Sequence, residues 1–260
     1  MTTPRALFVG IDLAWGYRAR TGFAVVDENG QLVDIQSLLT DEDIRAAVAV
    51  LPGVPVVVAV DAPLVVTNLT GQREAEKAIG RAYGRFGASC HTTNLSRTGP
   101  EGPRAAALAR QHGWTMGPTS RGYADAPVCI EVYPHAALVG LFDLPYRILY
   151  KKGTVEVRRA GFADVVRCLE SWDVLRLTSS TAWTPLRADI AAAVRHVDLN
   201  LVEDQLDAVI CAGLALLWHQ EGEARLHVFG TVDADHIVAP RPPTHPAVRP
   251  AGSGNVRRGA

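Results

Sequence analysis

Cysteine is scarce and scattered: the four in 260 residues stand at 90, 129, 168 and 211. No pair has Cys-x-x-Cys spacing, which excludes a zinc knuckle or a thioredoxin-like redox motif. Four unclustered thiols fit a reduced, cytoplasmic setting. Charge of one sign is not in excess either. The formal net charge is −1, so the chain is no polycation, and any contact with nucleic acid needs a local patch. No stretch approaches the ~18 uncharged apolar residues of a membrane span. The apolar run near the N-terminus is broken by Asp12 and reads as a buried strand, not a signal peptide. No internal repeat is present. The expectation is a soluble cytoplasmic protein with no membrane partner, and nothing in the chain sets its oligomeric state.

What is present suits one large α/β domain. Hydrophobic residues make up 48% of the chain, enough to build a sizeable core without staples. Residues 6–14 form an almost unbroken apolar run, as a strand buried on both faces does, and Trp15-Gly16 ends it. Runs at 21–27 and 31–38 flank Glu28-Asn29-Gly30, and Asn-Gly between apolar runs signals a hairpin. Three antiparallel strands are therefore expected. Thr40 before Asp41, Glu42 and Asp43 caps a helix, and Pro52-Gly53 stops it. Residues 54–61 form a second buried strand. Strand, helix, strand is a right-handed crossover, so the first and fourth strands should be parallel neighbours. Helices are expected at 71–86, near 103–112, from Pro134, at 157–170 and at 203–219. Further strands are expected at 127–132 and, as an edge strand or ribbon, at 226–238. The domain spans 1–240 with an insertion at about 71–126. Residues 241–260 are rich in Pro, Gly and Arg and read as a disordered tail.

Chemistry concentrates in the carboxylates. Asp12 and Asp61 close two strands predicted to be parallel neighbours, at the carboxyl edge where open α/β sheets bind ligands. Glu131 closes the next strand in Ile-Glu-Val-Tyr-Pro-His. Asp204 and Asp207 lie three apart and share one helical face, with Ala208, Cys211, Ala212 and Ala215 behind them. Acids converging on one spot repel each other, and burying them unpaired is costly. A hard divalent cation relieves both. Taken singly, each acid has a plain alternative as a turn former, a helix-dipole partner or an ion-pair member.

The order of these segments resembles the domain-of-unknown-function 429 family, regarded as predicted RNase H-like nucleases. The matching pieces are Gly10-Ile11-Asp12, Val60-Asp61-Ala62-Pro63, Arg73-x-x-Glu76, Glu131-Val132-Tyr133-Pro134-His135, Tyr150-Lys151-Lys152-Gly153 followed by Arg158, Asp204-Gln205-Leu206-Asp207-Ala208, and Ile237-Val238-Ala239-Pro240. They cover about residues 6–240. The resemblance implies an RNase H-like mixed five-stranded sheet, three strands antiparallel and then parallel, flanked by helices and carrying insertions. It also implies that Asp12, Asp61, Asp204 and Asp207 hold Mg2+ or Mn2+, with Glu131 assisting.

Basic residues form a second pattern. Arg73, Lys77, Arg81 and Arg85 recur every four residues and predict a ridge along one helix face that could hold substrate phosphates. A solvated face paired with Glu74 and Glu76 is the alternative. Lys151 is a candidate to neutralise developing charge, and His135 a candidate substrate contact or acid/base. Ser89-Cys90-His91 reads as loop, because adjacent residues rarely give a nucleophile and its base productive geometry.

The leading expectation is a divalent-metal-dependent phosphodiester hydrolase, a predicted nuclease, acting on nucleic acid or a small phosphoester. Three alternatives stay open. An actin-like nucleotide-binding protein would carry two lobes and two phosphate loops, yet only one Gly-x-Asp strand opening is present. A non-catalytic binding module would bind no metal. A small-molecule phosphoester hydrolase would close a pocket with the loops 87–125 and 140–156.

Overall fold

Apolar residues crowd the first strands because layers cover both faces of the sheet. The computed structural model describes residues 5–14, 16, 19–98, 102–232 and 234–250. It opens with β1 (Ala6–Asp12), β2 (Thr21–Asp27) and β3 (Leu32–Leu38), paired antiparallel in sequence order. Gly30 supplies the positive φ, 76°, that the β2–β3 turn requires. Helix α1 (Asp41–Ala49) follows, and the Thr40 hydroxyl accepts from the Asp43 N–H at its start. β4 (Val54–Val60) then returns parallel to β1.

The remaining elements are α2 (Glu74–Tyr83), α3 (Leu95–Thr98), α4 (Arg104–His112), β5 (Thr115–Met116) and β6 (Val128–Glu131). After them come α5 (Pro134–Leu141), α6 (Val155–Ser171), α7 (Trp183–Ala192), α8 (His196–Glu221), β7 (Leu226–Gly230) and β8 (His236–Pro240). The sheet runs β3-β2-β1-β4-β6-β5, and β7 and β8 form a separate antiparallel ribbon. This mixed sheet flanked by helices is consistent with an RNase H-like fold. It has six strands where five were expected. The extra one is the two-residue β5, which pairs with β6 inside a segment read as loop.

Strand alternation sorts the core. Leu7, Val9 and Ile11 pack with α1 and α4 on one face, while Phe8 and Ala59 pack with α8 on the other. Gly10 shares the α8 face. A Cβ there would lie 2.1 Å from the Ala208 carbonyl oxygen, and one on Gly22 would lie 1.8 Å from the Asp204 carbonyl oxygen. These two glycines let the α8 backbone rest directly on β1 and β2.

Three helical features depart from expectation. α3 and α7 have no counterpart among the expected helices, and α8 begins seven residues before the expected 203. The early α8 turns bury Leu199 and Val202 in line with Leu206 but expose Val197 and Leu201, which blurs the apolar stripe there. The tail also differs. Residues 241–250 carry no helix or strand but are fastened down: Val248 N–H donates to the Pro145 carbonyl at 2.8 Å and Arg85 to that of Pro243 at 2.9 Å. A disordered tail beginning at 241 is therefore not what the structure shows. Trp15 and residues 251–260 lie outside the described residues. Among the described residues no helix is long and apolar enough to cross a membrane, and all four cysteines are unpaired.

Candidate metal centre

Backbone register brings the first two acids together. Ile11 and Val60 are partners across the parallel β1–β4 pair, and the Asp61 N–H donates to the Ile11 carbonyl at 2.9 Å. Asp12 continues the Phe8–Gly10 side of β1, and Asp61 continues the Val57–Ala59 side of β4. Both therefore turn toward α8. With α8 seated on Gly10, the fully buried Asp207 meets them. One carboxylate oxygen from each of Asp12, Asp61 and Asp207 lies within 4.8 Å of the other two. Asp204, one turn earlier on α8, is not part of this trio.

The electrostatics of the trio are under tension. Burial first, then Asp207 and Asp61, push the Asp12 carboxyl well above its usual range, against the pull of Lys151. Burial likewise pushes Asp61 up to about 7, with Lys151 again opposing and Asp207 adding to the rise. Asp204 is raised to about 6 by burial and by Asp207. Lys151 forms an ion pair with Asp207. Burial opposes its charge, but Asp207 and the other acids outweigh that and hold its pKa well above the usual lysine value. The Tyr150 hydroxyl donates to the other Asp207 oxygen, Oδ1, at 2.7 Å.

Glu131 is placed differently. It is in register with Val60, not Asp61, so it faces the opposite side of the sheet. Arg73 Nη1 donates to its Oε2 at 2.8 Å and Arg73 Nη2 binds Oε1, while the Leu64 N–H donates to Oε2 at 2.9 Å. The same guanidinium reaches Glu76 through Nε at 2.9 Å. Arg73 is thus 4% exposed and clamped between two buried carboxylates.

That removes Arg73 from the predicted phosphate ridge. Lys77 and Arg81 are exposed, but Lys77 pairs with Glu74 at 2.6 Å. Arg85 donates to the Pro243 carbonyl and lies 4.8 Å over the Phe86 ring. The four residues do not form a free cationic track.

Beside the trio opens a cavity of about 300 Å³, reached by Asp12, Asp61, His135, Arg147 and both Lys151 and Lys152. His135 is 9% exposed, and its Nδ1 finds no hydrogen-bond partner. Ser89, Cys90 and His91 also line this cavity. Burial and nearby acids push the Cys90 thiol up, so the loop reading of that tripeptide holds over a nucleophile. Tyr150, Arg147 and Arg158 had no role assigned from sequence. Arg158 is buried and ties Tyr150 O, Asn200 Oδ1 and Glu203 Oε2 together at 2.8–3.0 Å, fixing the Tyr150–Lys151 segment against α8. Its signal was the position of Arg158 after Tyr150-Lys151-Lys152-Gly153 in the segments that carry the family resemblance.

The donor set suits a hard divalent cation: all ligand atoms are oxygens. Asp12 and Asp61 accept no side-chain hydrogen bond among the described residues, so their lone pairs are uncommitted. Three carboxylates face one ammonium. Asp12, Asp61 and Asp207 would hold the ion.

A family model described as a protein of unknown function, DUF429, matches residues 10–231. No curated protein and no solved structure matches the chain significantly.

Proposed function

Because the chain belongs to the DUF429 family, whose name states no activity, we propose a function from the site itself: divalent-metal-dependent hydrolysis of a phosphoester, in the form of a phosphodiesterase or nuclease. The observation that carries this is the trio, with three carboxylate oxygens within 4.8 Å of one another at the carboxyl edge of the sheet. Mg2+ or Mn2+ fits the all-oxygen set. When bound, such an ion supplies Lewis-acid charge at a phosphoryl oxygen and makes water a stronger acid.

The chain's own residues do the rest. Asp207 is fixed by Tyr150 and Lys151, so its lone pairs are presented without reorganisation. Lys151 projects cationic charge beside the trio, where negative charge develops as the new P–O bond forms from water and the ester P–O bond breaks. The departing oxygen leaves with a proton. Arg73 holds Glu131 and Glu76, offsetting negative charge beside the trio, where Glu131 still adds to the rise of Asp61.

Calorimetric titration with Mn2+, paired with hydrolysis of bis(p-nitrophenyl) phosphate, tests the reading. Saturable binding and Mn2+-dependent turnover are expected, both lost in Asp12→Asn. A wild-type protein that binds no Mn2+ would leave a non-catalytic module as the better reading.

A further inference from the structure

The cavity beside the trio is charged unevenly. Asp12 and Asp61 give it anionic lining. Its lining also includes Arg147 and Lys152, neither of which forms an ion pair with a carboxylate among the described residues. Arg147 is tethered by its backbone N–H to the Phe86 carbonyl at 2.9 Å, yet its Nε is buried with no hydrogen-bond partner. Guanidinium is donor-only, so an orphaned Nε asks for an acceptor. His135, which lines the same cavity, adds a second orphan, Nδ1, on a side chain nine-tenths buried. We infer that Arg147, Lys152 and His135 form a subsite for the phosphate of a small phosphate ester, a molecule enclosed in the cavity and not a strand of nucleic acid. This rests on the hydrolytic reading above and names its substrate class.

Three further observations point the same way. Arg147, Lys151 and Lys152 line the same cavity as His135, and burial together with their charges holds the His135 imidazole well below its usual pKa. The cavity, about 300 Å³, lies at the small end of the ~300–1,000 Å³ range of small-molecule pockets. A polymer with a charge every ~1.7 Å needs several free cations along its path. Here Arg73, Lys77 and Arg85 are already engaged by Glu131, Glu74 and Pro243.

The test is equilibrium binding of phenyl phosphate and of a single-stranded oligonucleotide to the full chain, each with Mn2+ and with chelator. Saturable phenyl phosphate binding is expected, weakened about tenfold or more in Arg147→Met. Lys152→Ala, an exposed change that leaves packing alone, should weaken it severalfold, and Arg147→Lys should recover part of the loss. No saturable binding under either condition overturns the inference, as does unchanged affinity in both Arg147→Met and Lys152→Ala. Tighter binding of the oligonucleotide, lost in Lys77→Ala with Arg81→Ala, overturns it in favour of a polymer. Mn2+ titration in the same variants separates the two readings. If the trio binds no metal, the hydrolytic proposal falls, while Arg147 and phosphate are still judged by the chelator arm.

Discussion

Arg73 grips Glu131 with both ends of its guanidinium, one contact being Nη1 to Oε2 at 2.8 Å, and both side chains are about 4% exposed. Each residue alone looked like a functional candidate. Together they neutralise one another in the cavity lining, and Arg73 reaches on to Glu76 and to the Val65 carbonyl. Arg73→Ala leaves two buried acids uncompensated and should destabilise the protein by about 3–5 kcal/mol, as breaking one side of a buried pair does. Urea denaturation followed by circular dichroism checks this. A loss within experimental scatter would show the pair to be dispensable for the fold.

Asp12→Asn and Asp61→Asn remove charge from the trio in different strands. Each deletes an anionic ligand, so Mn2+ affinity should fall by at least about tenfold. Each also relieves repulsion in the metal-free protein. Burial and neighbouring acids raise both carboxyls, so the neutral amide should melt at or above the wild-type temperature in chelator. Weaker metal binding with undiminished thermal stability separates a ligand role from a structural one. Wild-type Mn2+ affinity in both variants would mean that the trio does not take the ion.

Much of this placement is legible in the chain before any coordinates. The crossover from the first strand through α1 to β4 fixes Asp12 beside Asp61, because parallel neighbours linked in this way end at the same edge. Asp207 three residues after Asp204 marks an acidic helix face. The placement of Glu131 is not legible in this way: register with Val60 turns it away from Asp61, and that depends on how β6 aligns, which no local pattern states. The basic ridge failed for a related reason. Spacing of four places Arg73 on a helix face, but Arg73 stands at the helix start, where the chain turns inward to meet Glu131. Arg147 escaped notice because it lies in an irregular segment, and the periodicity of helices and strands says nothing there.

The trio also sets a pH dependence. Asp61 is pushed up to about 7 by burial, then by Asp207, against Lys151. In the unfolded chain it titrates near ~3.9. Between those values the native state binds more protons than the unfolded one, so stability falls as pH rises through this window. Asp204, raised to about 6, and Glu203, raised to about 7, act with the same sign. In chelator, the melting temperature should drop between pH 5.5 and pH 8, and Asp61→Asn should reduce the drop. Mn2+ binds the ionised acids, so its stabilising shift should be larger at pH 8. A profile flat in chelator and unmoved by the Asn variant would count against the raised carboxyl.

The seat of α8 on β1 gives the sharpest structural test, because one methyl group should reach the site without touching it. A Cβ on Gly10 would stand 2.1 Å from the Ala208 carbonyl oxygen and 2.2 Å from the Ala212 nitrogen. Both are backbone atoms of a helix packed along β1 and β2, so no side chain can swing aside. Gly10→Ala must push α8 away from the sheet or bend β1. Overpacking of this kind costs about 1–3 kcal/mol or more. The displacement also lengthens the distance from Asp12, two residues along the same strand face, to Asp207 on the helix. Mn2+ affinity should therefore fall along with stability. Gly80→Ala, where an added Cβ meets nothing within 4 Å, should leave metal binding unchanged. If Gly10→Ala lost stability but kept full Mn2+ affinity, the ion would not be shared between β1 and α8.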